Sequence, residues 1–140
     1  MILNFKCETD EFLKFRDGMY TSILIVGTKK PYEHAYKVDL GDIVAVSNCV
    51  SDESLAYRVS HISKYSGAST PESAMNDLRA RLGLPANSQY CPIYLADDIN
   101  TGKVPFLHEG IYALIIERYK GRISAKGGKK LWFTIGRSSP

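Results

Sequence analysis

Tyr36-Lys37-Val38-Asp39-Leu40-Gly41-Asp42-Ile43-Val44-Ala45-Val46-Ser47-Asn48, then a mostly polar turn, then Leu55-Ala56-Tyr57-Arg58-Val59-Ser60-His61-Ile62-Ser63-Lys64-Tyr65 is the stretch whose reading decides the fold. Leu40-Gly41-Asp42 reads as a turn, because glycine reaches positive φ without a Cβ clash and aspartate bonds its own backbone. Ile43, Val44 and Val46 are β-branched and predict a strand. Residues 48–54, polar apart from Cys49 and Val50, predict a hairpin loop. The second strand alternates, with Tyr57, Val59, His61 and Ser63 on one side and Arg58, Ser60, Ile62 and Lys64 on the other. Tyr57 and Val59 mark the core face of its first half. Ile62 breaks the alternation, which predicts a bulge or a change of face near His61.

Upstream, residues 1–7 predict a first strand. A short helix follows, with Thr9 as its cap, Asp10 and Glu11 in its first turn, Phe12 and Phe15 on one face and Gly18 as its stop. Residues 20–26 predict a second strand, closed by a loop over residues 27–31. Downstream, Thr70 as N-cap with Pro71 at the first helical position opens a second helix. Ala74, Met75, Leu78 and Leu82 form its core face, and Gly83 with Pro85 ends it. Arg79 and Arg81 fall on its polar side. Residues 90–95 predict a strand that Pro92 confines to an edge. Residues 111–119 are the most apolar run and predict a strand inside the sheet. Residues 131–136 predict a last one. The order of elements disfavours a doubly wound parallel sheet. It predicts an α+β fold: a small mixed, mostly antiparallel, barrel-like sheet flanked by two helices.

The chain has 140 residues, a length that suits a single domain over 1–140, and its hydrophobic content of 44% is ordinary for a globular protein. No apolar run approaches the ~20 residues of a membrane-spanning helix, and residues 1–7 lack the form of a secretory signal. Cys7, Cys49 and Cys91 are scattered and odd in number. They predict free thiols in a reducing cytoplasm, with Cys49 and Cys91 as packing residues. His34, His61 and His108 are isolated, so no metal site is expected, and no cofactor motif is present. The net charge of +3 is uneven. From Glu117 onward the basic residues are Arg118, Lys120, Arg122, Lys126, Lys129, Lys130 and Arg137, while the rest of the chain is mildly acidic. This basic end interleaves with Tyr119, Trp132 and Phe133, a pattern suited to a polyanion with stacked bases.

Four features together resemble the ASCH domain of the PUA-like superfamily. They are a Phe-rich helix ending in Gly18 before a Thr-bearing strand, the Leu40-Gly41-Asp42 turn opening a Val/Ile strand, the alternating Tyr57–Ile62 strand followed by a helix, and the run from Ile111 to Ile116. They span about residues 5–117, with residues 118–140 a basic extension carrying the final strand. The resemblance implies a pseudo-barrel whose cleft accepts RNA, a modified base or a nucleoside. Some small ASCH proteins are amidohydrolases with a Gly-x-Lys-Thr-x-Thr run. Here that run is Gly18-Met19-Tyr20-Thr21-Ser22-Ile23, and Tyr20 and Ile23 cannot repeat the chemistry of the Lys and the second Thr.

The reading is therefore a binding module for RNA or a nucleotide, without catalysis. Its binding candidates are Tyr20, Thr21, Lys29, Lys30, Arg58, Lys64, Arg118, Lys120, Arg122, Lys129, Lys130 and Trp132. A hydrolase acting on a modified nucleoside would instead use His61, Lys64 and Glu72. A small inhibitory protein that sequesters a protein or a nucleotide signal is the third reading. Oligomeric state stays open.

Overall fold

The computed structural model describes residues 2–27, 38–66, 69–94, 110–121 and 130–134. Its strands are β1 (Ile2–Cys7), β2 (Tyr20–Gly27), β3 (Ile43–Asn48), β4 (Ser54–Ser66), β5 (Gln89–Tyr94), β6 (Gly110–Arg118) and β7 (Lys130–Thr134), and its helices are α1 (Thr9–Arg16) and α2 (Pro71–Leu82). The seven strands form one sheet in the order β5-β2-β6-β4-β3-β1-β7. The sheet is mixed, which corrects the expectation of a mostly antiparallel one. β1 runs parallel to β3 and to β7, and β2 runs parallel to β5. The pairs β2–β6, β3–β4 and β4–β6 are antiparallel. None of the parallel partners are consecutive strands, so no local sequence pattern announces them.

The β3–β4 hairpin forms as its residues predict. Val44 pairs with Tyr57 and Ala45 with Ala56. Asn48 closes the loop through its N–H to Glu53 O, at 2.8 Å, and its side chain accepts from Val50 N–H at 2.9 Å. The predicted irregularity is present on the β6 side: Val59 pairs with Ile116 and His61 with Ile115, leaving Ser60 as the extra residue. Because the side-chain period is two, this insertion exchanges the faces of β4. Val59 and Ile62 both pack into the interior cluster, and Tyr65 packs into the second.

The sheet has an apolar cluster on each face. The interior one gathers Leu3, Phe5, Val44, Val46, Tyr57, Val59, Cys91, Ile93, Tyr112 and Leu114 with Phe12 and Phe15 of α1. β1 and β5 lie far apart in strand order yet share this cluster, so the sheet is barrel-like. The second cluster places Ala74, Met75 and Leu78 of α2 on Leu24, Val26, Ile111, Ala113 and Ile115.

Both helix ends follow their capping residues, with one correction. α1 starts after Glu8, which makes no side-chain cap bond. Thr9 is its first residue and not its cap, and Asn48 Nδ2 donates to the Thr9 hydroxyl at 3.4 Å. α1 stops at Gly18, with φ of +75°. Met19 N–H reaches Lys14 O and Gly18 N–H reaches Phe15 O, which satisfies two terminal carbonyls. Thr70 and Ser73 form a reciprocal capping box at α2, with Pro71 in its first turn. Cys49 is exposed, correcting its expected packing role, whereas Cys7 and Cys91 are buried. The loop carrying Lys29 and Lys30 and the head of the opening stretch, residues 36 and 37, lie outside the described residues.

Candidate functional site

The three residues offered for catalysis are not brought together. β4 carries both His61 and Lys64, but on opposite faces. His61 Nε2 lies 3.1 Å from Ser63 Oγ, which also accepts from Arg81 of α2 at 2.8 Å. Lys64 is exposed, and its Nζ lies 5.7 Å from the centre of the Tyr112 ring in the interior cluster. Glu72, in the first turn of α2, accepts from the Tyr90 hydroxyl of β5 at 2.9 Å.

Around Ser63 the bulge assembles a polar network. Tyr65 donates to Asp77 Oδ2 at 2.6 Å, and Arg81 donates to Asp77, Ser63 and Tyr65. The Tyr65 hydrogen bond and, after it, the Arg81 charge hold the Asp77 carboxyl below its ordinary range. Burial and the bond to Asp77 raise the Tyr65 phenol. Arg79 donates to Ser88 O, at 3.0 and 2.6 Å, and to Asn76 Oδ1. Both arginines thus tie α2 to neighbouring structure.

Tyr20 is buried, and its hydroxyl donates to Glu11 of α1. Burial first, and that hydrogen bond second, raise its phenol far above the ordinary value. Lys14 Nζ lies 5.7 Å from its ring centre, and Phe15 meets it edge-on. This tyrosine is a packed proton donor without an open face for stacking. Thr21 Oγ1 reaches Gln89 O at 3.4 Å. Burial lifts the Cys7 thiol to about 12 and raises that of Cys91 well above its usual value.

The basic residues divide between the two faces. Arg118 pairs with Tyr57 across β6–β4, and its guanidinium lies 5.7 Å from that ring centre. The Tyr57 hydroxyl donates to Phe15 O at 2.7 Å, so Arg118 sits where α1 ends. Arg58 points the other way and binds Glu117 opposite it, through Nε at 3.0 Å and through Nη2. The two side chains of this pair are 51% and 48% exposed, so the pair adds little stability. Lys120 is exposed beyond the end of β6. Lys130 and Trp132 lie on β7, in register with Ile2 and Asn4. Lys29, Lys30, Arg122 and Lys129 fall outside the described residues.

Sequence reasoning missed the roles of Asp77, Glu11 and Lys6. The spacing of Asp77 and Arg81 on one helix face was the signal for the first. The alternation Leu3, Phe5, Cys7 against Asn4, Lys6 was the signal for the last. Among the described residues no group of His, Cys, Asp and Glu can hold a metal ion, and no helix is long and apolar enough to cross a membrane.

No family model and no curated protein matches the chain. It is similar to the crystal structure of a hypothetical protein, PH0355, with a TM-score of 0.49 and 14% identity, covering 85% of this chain and 100% of that one. A likeness at that level carries no argument about function.

Proposed function

We propose that the chain is a PUA- and ASCH-like binding module for RNA or a nucleotide, working without catalysis in a reducing, cytoplasmic setting. The observation that supports it is the placement of the basic, aromatic end. β6 ends in Arg118, with the exposed Lys120 just beyond, and the chain then returns as β7, hydrogen-bonded in parallel along β1. Lys130 and Trp132 therefore belong to the sheet, and their backbone positions are fixed relative to Lys6 and Arg58. Cations held at fixed spacing on a rigid sheet suit a phosphate backbone, because little side-chain entropy remains to be lost on binding. The dispersal of His61, Lys64 and Glu72 disfavours the hydrolase reading, since an acid, a base and a nucleophile must converge within hydrogen-bond reach.

The test is a titration with a short single-stranded RNA and with mononucleotides at two salt concentrations. It is read by Trp132 fluorescence and, independently, by anisotropy of labelled ligand. The expected result is saturable RNA binding whose log affinity falls with log salt by roughly 0.7 per phosphate contacted. Salt-insensitive binding of a mononucleotide would narrow the reading to a small-ligand site. Silence in both readouts for both ligands would sink the reading in favour of a protein partner.

A further inference from the structure

We infer that RNA lies across the outward face of β7, β1, β3 and β4, opposite the interior cluster, as a single strand crossing the sheet. This rests on the RNA-binding reading above and assigns it a surface.

The register of the four strands lines up three rows on that face. One row runs Lys130, Ile2, Ile43, Arg58. The middle row runs Trp132, Asn4, Ala45, Ala56. The third runs Thr134, Lys6, Ser47, Ser54. The alternate residues of β1, β3 and β4, from Leu3 and Phe5 to Val44, Val46 and Tyr57, fill the interior, so these rows face away from it. α1 buries Phe12 and Phe15 in the interior, and α2 packs over Leu24, Val26, Ile111, Ala113 and Ile115 of β2 and β6. Neither helix occupies the face of the three rows. Ile2, Asn4, Ile43, Ser47 and Ala56 are partly exposed, and Lys6 and Arg58 are fully so.

The chemistry of the rows suits a polynucleotide. The middle row is floored by Ala45 and Ala56, whose small side chains let a flat base approach the sheet. Cations border it on both sides: Arg58 and Lys130 in one flanking row, Lys6 in the other. Glu117 neutralises part of Arg58, but Arg58 Nη1 has no partner among the described residues. At about 4.8 Å per strand, four strands give room for about two or three nucleotides, and a sheet bearing an aromatic in its middle row is a known platform for unstacked bases. A duplex fits poorly, because its bases are stacked away from such a floor.

Arg118 supplies the internal control. It is exposed, lies near Arg58 in the chain's path and carries the same charge, yet faces the opposite side of the sheet beside Tyr57. The experiment compares wild type, the Lys6→Ala/Arg58→Ala double variant, Ala56→Glu and Arg118→Ala, each checked by thermal unfolding, for binding of a short single-stranded RNA. The double variant should bind roughly tenfold more weakly, with a salt slope shallower by about 0.7 per lost cation. Ala56→Glu should also weaken binding, and Arg118→Ala should stay near wild type. Cross-linking of 4-thiouridine-substituted RNA should mark peptides containing residues 2–7, 43–48, 54–58 or 130–134. Arg118→Ala losing more than the double variant, or cross-links confined to α1 and the Tyr57–Arg118 side, would overturn the surface while leaving RNA binding standing. Wild type that binds no RNA in either titration readout would instead remove the reading on which it rests.

Discussion

Cys7 and Cys49 adjoin through their backbones, Cys49 N–H donating to Cys7 O at 2.9 Å, but one thiol is buried and the other is exposed. Their reactivity should divide accordingly. A thiol lifted to about 12 is almost wholly protonated near neutrality, and only the thiolate attacks. The native protein should therefore show a single fast-reacting thiol, Cys49, toward a disulfide reagent, with Cys7 and Cys91 appearing only in denaturant. Three fast thiols would mean that the interior is open. Asp77 gives a prediction with a sign. Its folded pKa lies below the model value of 3.8, so its tie to Tyr65 stabilises the fold above that value and is lost as pH falls through the lowered folded pKa. Asp77→Asn should lower the melting temperature at neutral pH, and the gap from wild type should close on acidification toward roughly pH 2. A gap that is constant with pH would show that the carboxylate charge is not what holds Tyr65 and Arg81. Tyr57→Phe removes the bond to Phe15 O and should cost about 0.5–1.5 kcal/mol in urea unfolding.

β4 shows which elements local patterning reveals. Ile62 out of step with Val59 was enough to foresee an irregularity, and the extra residue Ser60 lies there. Thr70-Pro71 and Gly83 bounded α2, and Pro92 put β5 at an edge, because each of these signals acts through its own backbone. The parallel pairings of β1 and β2 were illegible, since they join strands separated by long stretches of chain and depend on which faces meet in three dimensions. The candidate surface was half legible for the same reason: Arg58, Lys130 and Trp132 stood out as residue types, but only strand order puts Lys6 beside them. α2 permits two checks by thermal or urea unfolding. Thr70→Ala breaks the capping box and should cost about 1 kcal/mol. Gly83 has φ of +65° with open space where a Cβ would go, so Gly83→Ala should cost roughly 1–2 kcal/mol through backbone strain alone. An unchanged midpoint in the alanine variant would show that the helix end relaxes out of this conformation.

β2 and β6 each present alternate residues to the two apolar clusters, Ile23 and Ile25 against Leu24 and Val26, and Tyr112 and Leu114 against Ile111 and Ala113. The clusters share walls, so they should melt together. Leu114→Ala in one and Leu78→Ala in the other should each cost about 2–5 kcal/mol and shift a single urea transition. A biphasic curve for Leu78→Ala would mean that the α2 layer comes away on its own. Removing residues 118–140 would strip β7 from β1 as well as removing cations, so binding and stability would change together, and point substitutions are the cleaner probe. The same pairing has a bearing on how the protein is made. β1 leaves the ribosome first among the strands and takes β3 as one partner early, but its other partner, β7, lies beyond residues 8–129. Throughout synthesis the first strand thus offers an open ladder of N–H and C=O groups that its own chain cannot yet fill, which makes the nascent protein a substrate for chaperones and for pairing with a second nascent copy.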